Sequence, residues 1–271
     1  MLRWNELQRI TSRQNSLVKE TVSLLQESKA KREHLILIEG LRHNSTALEA
    51  YGYRYIFFPD DPEGQACFDQ LSGQLDLDPD RVRRLAPHIF TQIAATQHSQ
   101  GVISVVEAPR LPDLSQTEAM PSGNYLVLEQ CRDPGNLGTI LRTADALGLA
   151  GLILLGDSVW PYNSKALRAS MGSALYVPVW QADNVHQLKA QLPKHDLLAA
   201  DMAGTSLASY KPATPERHYA LLLGNEAHGL SSEAKARADR LISVEMTGRA
   251  ESLNLASAAA IMAWQLQRLY R

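Results

Sequence analysis

An α/β architecture in two parts is what this chain predicts: a small α/β domain, then a mostly parallel sheet with helices on both faces. Three observations carry that expectation. After residue 124 come six short, nearly uninterrupted apolar runs separated by helix-like stretches. Strands without polar alternation are buried on both faces, as parallel strands joined by crossover helices are. The stretch EAPRLPDLSQTEAMPSG (Glu107 to Gly123) is rich in proline and poor in apolar residues, which marks a linker. Finally, three apolar runs break into turns holding Gly, Asn, Glu or Ser before a helix begins, and α/β proteins build nucleotide sites at such carboxyl ends of strands. The expected divisions are 1–108, a linker over 109–123, and 124–271.

In the first part a helix is expected over Ser16 to Lys31, with Leu17, Leu24 and Leu25 apolar and charges on the remaining faces. Strand LILIE (Leu35 to Glu39) leads into a helix ending near Ala50, followed by YRYIFFP (Tyr53 to Pro59). RVRRLA and GVISVVEA read as later short strands. In the second part the strand runs are Tyr125–Leu128, Leu152–Leu155, Val177–Trp180, Leu197–Ala200, Tyr219–Leu223 and Leu241–Val244. Between the first two, Leu137, Ile140, Leu141, Ala144 and Leu147 form one apolar stripe at helical spacing. The last helix opens near Ser252 and Asn254, and its Ala256, Ser257, Ala258, Ala259 and Ala260 permit close backbone packing.

Length and composition set bounds. A chain of 271 residues with 45% hydrophobic content can bury a sizeable core. No apolar run approaches the ~18 residues needed to span a bilayer. The N-terminus MLRWNELQRI lacks the apolar core of a signal peptide, so the expected location is cytoplasmic, with no membrane partner. Cys67 and Cys131 are the only cysteines, giving neither a disulfide framework nor a metal-ligand cluster, so no metal is expected. A net charge of −2 alone argues against a nucleic-acid partner. Its distribution is uneven: residues 1–54 hold nine Lys or Arg against six acids, and residues 55–80 hold seven acids and no base. Lys19, Lys29, Lys31 and Arg32 in the basic segment are candidates for following a phosphate backbone, against the plainer reading of ordinary solvated faces.

Three motifs hold the candidate chemistry. In DPGNLGTILRTADALG (Asp133 to Gly148), Asn136 reads as a polar site residue or as a helix N-cap. Arg142 lies about a turn and a half into the helix, where a cation is mildly unfavourable and a bound anion would account for it. In LLLGNEAHGL (Leu221 to Leu230), Gly224 allows close approach of a ligand to the backbone. Glu226 is placed either to orient Arg142 by a charge-assisted pair or to cap the helix starting near Ser231. His228 is a loop histidine and more simply exposed. In ISVEMTGRAESLNLASAAAIMAWQL (Ile242 to Leu266), Ser252 reads as an N-cap, a site residue or both.

Together and in this order, the three motifs resemble those of the SpoU (TrmH-like) RNA 2′-O-ribose methyltransferases of the SPOUT class, across most of residues 124–266. ITSRQNSLVKETVSLLQESKAKREHLILIEGLRHNSTAL (Ile10 to Leu48) and HSQGVISVVEAP (His98 to Pro109) are similar to the substrate-binding domain often fused in front. The resemblance implies a deep trefoil knot, S-adenosylmethionine as methyl donor, a homodimer, and RNA as substrate, with ribosomal RNA favoured over transfer RNA by the fused domain. It implies Asn136, Arg142, Glu226 and Asn254 as catalytic residues, with Gly224, Val244, Met246, Ser252 and Leu253 around the donor. An Arg142 guanidinium hardly ever deprotonates, so stabilising the developing alkoxide suits it better than general-base work. Arg168 and Ser170 fall in the segment NSKALRASMGSALYVPVW, which the resemblance places near RNA. Glu245 stands before Met246 where the family commonly has Pro. Alternatives are a tRNA 2′-O-methyltransferase and a non-catalytic RNA-binding ribosome-assembly factor on the same fold. A Rossmann-type NAD enzyme fails for want of G-x-G-x-x-G. A cysteine-dependent base methyltransferase would require an activated Cys131, which has no basic partner nearby in sequence.

Overall fold

A computed structural model describes residues 2–94, 100–214 and 216–270. His98 and Ser99, which open the second stretch resembling the substrate-binding domain, lie outside the described residues. Two compact units divide the chain: Met1–Pro109 with Tyr162–Ser164, and Arg110–Pro161 with Lys165–Arg271.

The first unit is a sheet flanked by helices. Its elements in chain order are β1 (Gln8–Ile10), α1 (Ser16–Ser23), α2 (Glu27–Glu33), β2 (Leu35–Glu39), α3 (Leu41–Tyr51), β3 (Tyr55–Pro59), α4 (Pro62–Gln74), β4 (Val82–Leu85), α5 (Pro87–Ile93) and β5 (Ile103–Glu107). The strand order is β1-β4-β3-β5-β2, with β5 antiparallel to both neighbours. Phe57, Leu85, Ile89 and Ile103 are completely buried in its core. The single helix expected over 16–31 is two. Asn15 caps α1 by accepting from the Leu17 N–H at 2.9 Å. Leu24, buried in the core, then closes α1 onto Thr21, and extended backbone at Gln26 re-aims the chain before α2. Helix α4 is not among the expected elements. Asp61 caps it through the Gly64 N–H at 2.8 Å and Pro62 occupies the first turn, an N-terminal signature that a count of charges does not register.

In the second unit follow β6 (Tyr125–Glu129), α6 (Pro134–Ala146), β7 (Gly151–Leu155), α7 (Ser164–Ala169), β8 (Val179–Ala182), α8 (Val185–Gln191), β9 (His195–Ser206), β10 (His218–Leu223), α9 (Ser232–Arg237), β11 (Arg240–Ser243) and α10 (Leu255–Leu269). The six strands lie in the order β11-β9-β10-β6-β7-β8, every pair parallel. Alternate residues of each apolar run point to opposite faces. Leu126, Leu128, Leu221 and Leu223 meet Leu137, Ile140, Met262 and Leu266 of α6 and α10. Tyr125, Val127 and Leu222 meet Val185, Leu188 and Leu192 on the other face. Full burial of each such side chain contributes roughly 1.5–3 kcal/mol, which is why an unalternating run is stable only inside a covered sheet.

Several expected boundaries shift, most of all β9, which runs six residues past the expected Ala200, to Ser206. Strand β8 starts two residues later than expected, because Val177 is spent closing the turn onto Ser173 and Pro178 presents only its carbonyl, to Leu152. Part of the expected linker is built into the second unit. Leu114 is fully buried under the sheet, and the Gln181 N–H donates to the Pro112 carbonyl at 3.0 Å. A proline-rich composition marks irregular backbone, not an absence of packing.

Candidate active site

The turns after β6 and β10 and the start of α10 meet at the carboxyl ends of the central strands. Each turn is fixed by its own residues. At the first, Asp133 is the N-cap of α6, accepting from the Asn136 N–H at 2.7 Å, while its second oxygen lies 3.0 Å from the Lys165 ammonium. The backbone hydrogen bond from Asn136, then Lys165, hold the Asp133 carboxyl below the ordinary aspartate range. Asn136 is thus not the cap, and its side chain is left to the site. Gly138, one turn on, is required by packing: a Cβ there would lie 2.7 Å from Ala169 Cβ and 2.9 Å from Ser170 N.

At the second turn Asn225 pairs with Gly229 through two backbone hydrogen bonds of 3.0 and 2.8 Å and donates through Nδ2 to the Gln130 carbonyl at 2.8 Å. A Cβ on Gly224 would overlap Gly229 C and O and Leu230 N. The close approach that demands glycine is therefore the chain's own, alongside whatever a ligand requires. Ser231 caps α9 through Ala234 N at 3.1 Å and is itself held by both oxygens of Glu129 at 2.7 Å. Glu226 is accordingly not that cap. At the third turn Asn254, and not Ser252, caps α10, accepting from Ala256 N at 2.9 Å and Ser257 N at 3.3 Å.

One hydrogen-bonded chain then links all three. Asn254 Nδ2 donates to Asn136 Oδ1 at 2.9 Å, and Asn136 Nδ2 donates to Glu226 Oε1 at 3.1 Å. The Asn136 amide is oriented at both ends. Burial raises the Glu226 carboxyl, but hydrogen bonds from Asn136 and from backbone N–H groups including those of Asp133 and Arg132 outweigh it and hold the group below its ordinary value. Cys131 lies beside it, Sγ 3.6 Å from Glu226 Oε1. Burial, and then the Glu226 charge, push that thiol up to about 12, so it is no thiolate nucleophile near neutral pH.

Asn136 and Asn254 form a wall between two cavities. On one side is a cleft of about 630 Å³ with Leu223, Ile242 and Met262 in its lining. Gly224, Val244, Met246, Ser252 and Leu253 all line it, as does Glu226. On the other side a cavity of about 580 Å³ is lined by Asp133, Thr139 and Lys165 and by Ser257 and Ala260 of α10.

The sequence profile of the SpoU rRNA methylase family matches residues 123–264, more than half of the chain and every element of this site. The chain belongs to that family. Full-length similarity extends beyond the profile. A 23S rRNA (guanosine(2553)-2′-O)-methyltransferase of Bacillus subtilis is 29% identical over 96% of this chain and 100% of its own length. A 23S rRNA (uridine(2479)-2′-O)-methyltransferase of Streptomyces viridochromogenes is 29% identical over 96% of this chain and 92% of its own. The crystal structure of an AdoMet-bound rRNA methyltransferase from Sinorhizobium meliloti superposes with a TM-score of 0.83 at 28% identity, covering 97% of this chain and 98% of that one.

The remaining residues singled out in the sequence, by the SpoU resemblance or by the basic first segment, fall elsewhere. Arg142 is on the exposed side of α6, one turn beyond Thr139; it lines neither cavity, and the described partners of Glu226 do not include it. Arg168 is exposed, whereas Ser170 is fully buried and donates to the Leu167 carbonyl at 2.9 Å, so Ser170 is structural and not available to RNA. Lys19, Lys31 and Arg32 are exposed and Lys29 half-buried. Glu33 lies 3.5 Å from Lys29, a half-buried pair, and 3.9 Å from the exposed Arg32, a contact that an RNA phosphate can displace at little cost. Asp133, Lys165 and Asn225 carried no role in the sequence reading. Only Asp133 had a local signal, its Asp-Pro helix start.

Proposed function

We propose that this SpoU-family chain is an S-adenosylmethionine-dependent RNA 2′-O-ribose methyltransferase acting on ribosomal RNA in the cytoplasm. The observation that carries the reading is the Glu226–Asn136–Asn254 chain, because it joins three separated motifs into one preorganised polar wall beside a cleft of ligand size. The cleft suits the donor. Its apolar floor at Leu223, Ile242 and Met262 matches an adenine ring, and Gly224, Val244 and Leu253 offer backbone groups at its rim. Met246 and Ser252 close the remaining side. Bound there, S-adenosylmethionine supplies a sulfonium methyl group that needs no further activation.

The protein's share of the chemistry is positioning and electrostatics. Asn136, with one Nδ2 hydrogen committed to Glu226, keeps a second to hold a ribose oxygen against the cleft. Glu226, held as a carboxylate, fixes that amide and does not itself change charge near neutral pH. Arg142 keeps the role the family resemblance gives it, stabilising the developing negative charge, and because it lines neither cavity its side chain must turn toward the wall when RNA binds. The first unit, with Lys19, Lys29, Lys31 and Arg32, supplies phosphate contacts, and Arg168 adds one on the second.

The working unit is a homodimer. Ile261 and Trp264 of α10 are 45% and 52% exposed, and the Arg268 guanidinium lies 4.9 Å over the indole. This stripe continues the wall that Ser257 and Ala260 give the second cavity, so a second copy seated on it would extend one wall of that cavity and leave its mouth beside Lys165 open to RNA. The deep knot implied by the family belongs to the same reading. Its support is the placement of β10 between β9 and β6 with α10 packed back on α6.

The test is transfer of a tritiated methyl group from S-adenosylmethionine to total RNA from cells lacking the gene, followed by digestion to nucleosides. The expected label is in one 2′-O-methylnucleoside from ribosomal RNA. Label in a base-methylated nucleoside overturns the reaction type, and label in transfer RNA overturns the substrate.

A further inference from the structure

We propose that the second cavity is the acceptor-nucleotide site and that Lys165 is its phosphate-binding residue, exchanging its partner Asp133 for a phosphate of the RNA strand. The inference rests on the reading above and assigns a residue that the three motifs do not contain.

Geometry gives the first reason. The cavity shares Asn136 and Asn254 with the donor cleft, so a nucleotide there presents its ribose to the wall that the donor reaches from the opposite side. Its volume of about 580 Å³ is in the range of small-molecule sites and accommodates a nucleotide. Charge gives the second. Lys165 is the one cation among the described residues lining that cavity. Its pair with Asp133 is open to water, with side chains 59% and 44% exposed, and such pairs hold little net energy.

Capping chemistry gives the third reason. Asp133 does not depend on Lys165, since its Oδ1 is engaged by the Asn136 N–H at 2.7 Å at the start of α6. Lys165 can therefore leave without uncapping the helix. With α6 already capped by a carboxylate, its N-terminal amides cannot serve the incoming anion, and the task falls to the ammonium. As a point charge on a flexible stem, Lys165 can follow the phosphate as the strand settles. Thr139, whose hydroxyl donates back to the Gly135 carbonyl at 2.9 Å, forms the floor below it.

The experiment compares wild type, Lys165→Met and Lys165→Arg as full-length protein. Initial rates of tritiated methyl transfer to total RNA from cells lacking the gene are measured over a series of KCl concentrations. Thermal midpoint and S-adenosylhomocysteine affinity are measured alongside. Lys165→Met is expected to raise KM for RNA about tenfold with a much smaller change in kcat. Its plot of log(kcat/KM) against log[KCl] should be shallower by about 0.7, the value for one lost single-strand phosphate contact. Lys165→Arg should recover most of both effects. An unchanged KM and slope in Lys165→Met overturns the assignment. So does a fall in thermal midpoint and S-adenosylhomocysteine affinity matching the loss on RNA, since Lys165 would then act by supporting the α6 turn. A wild-type protein that binds S-adenosylhomocysteine but methylates no RNA overturns the parent reading instead, and this one with it.

Discussion

Replacing Gly224 by alanine separates what the chain needs there from what a ligand needs. The added Cβ would meet Gly229 C and O and Leu230 N, all backbone. The overlap is more than about 1 Å inside the ~3.5 Å of an ordinary carbon contact, and no side-chain rotation relieves it. The 229–230 strand must therefore retreat, which breaks the paired Asn225–Gly229 hydrogen bonds of 3.0 and 2.8 Å. Overpacking costs about 1–3 kcal/mol and each lost hydrogen bond about 1 kcal/mol, for a total of roughly 3–5 kcal/mol. At 2–4 °C per kcal/mol for a domain of this size, the thermal midpoint should fall by about 6–20 °C. Calorimetric unfolding measures that shift. Titration with S-adenosylhomocysteine at 10 °C, where the variant remains folded, should show donor affinity reduced as well, because Gly224 lines the cleft. A midpoint within about 2 °C of wild type together with lost affinity would refute the reasoning, because the glycine would then serve the ligand alone.

Other outcomes follow from the same geometry. Arg142→Ala should lower methyl transfer by ~10²-fold or more with donor affinity nearly unchanged, measured as single-turnover rate against calorimetric affinity; near-full activity removes Arg142 from catalysis. Trp264→Glu should convert a dimer to a monomer in sedimentation equilibrium and depress activity, whereas a wild-type monomer of full activity contradicts the dimer. His195 is buried and donates from Nε2 to the Gly123 carbonyl at 2.8 Å. Burial, followed by the neighbouring charges of His218 and Arg217, depresses its pKa against the opposing pull of that hydrogen bond and Asp196. The unfolded chain then binds more protons than the folded one below about pH 6.5, so stability is held above that value and falls as pH drops through it. Urea midpoints between pH 7.5 and 5 should show the loss, and His195→Gln should flatten it.

Much of the second unit was legible because its strands are apolar on both sides and its turns punctuated by Gly, Asn and Ser, signals that survive without long-range information. Of the stripe on α6, Leu137, Ile140, Leu141 and Ala144 are buried as its spacing implied, and Leu147 at its end is half-buried. The first unit was harder. The break at Leu24 to Gln26 interrupts a pattern whose composition is helical throughout, and only the burial of Leu24 in a core formed by distant strands explains it. In the site, the motifs located the turns, but the hydrogen-bond partners within it are visible only in the structure, some of them ninety or more positions apart. Glu226 meets Asn136 and not Arg142, and Asn254 does the capping that Ser252 was equally placed to do. Lys165 follows a Pro-Tyr-Asn-Ser turn at the start of α7, but nothing local distinguishes it from a solvated lysine.

The central claim is that the Glu226–Asn136–Asn254 wall directs a methyl group onto a ribose 2′-oxygen of RNA. Its most direct test is a map of alkali-resistant linkages in total RNA from cells with the gene, without it, and complemented by wild type or Asn136→Ala. A 2′-O-methyl group blocks cleavage at its own 3′ phosphate, so each methylated position reads out individually. The account expects one ribosomal RNA position to lose resistance on deletion, to regain it with wild type, and to stay cleavable with Asn136→Ala. An unchanged map on deletion, or full restoration by Asn136→Ala, would contradict it.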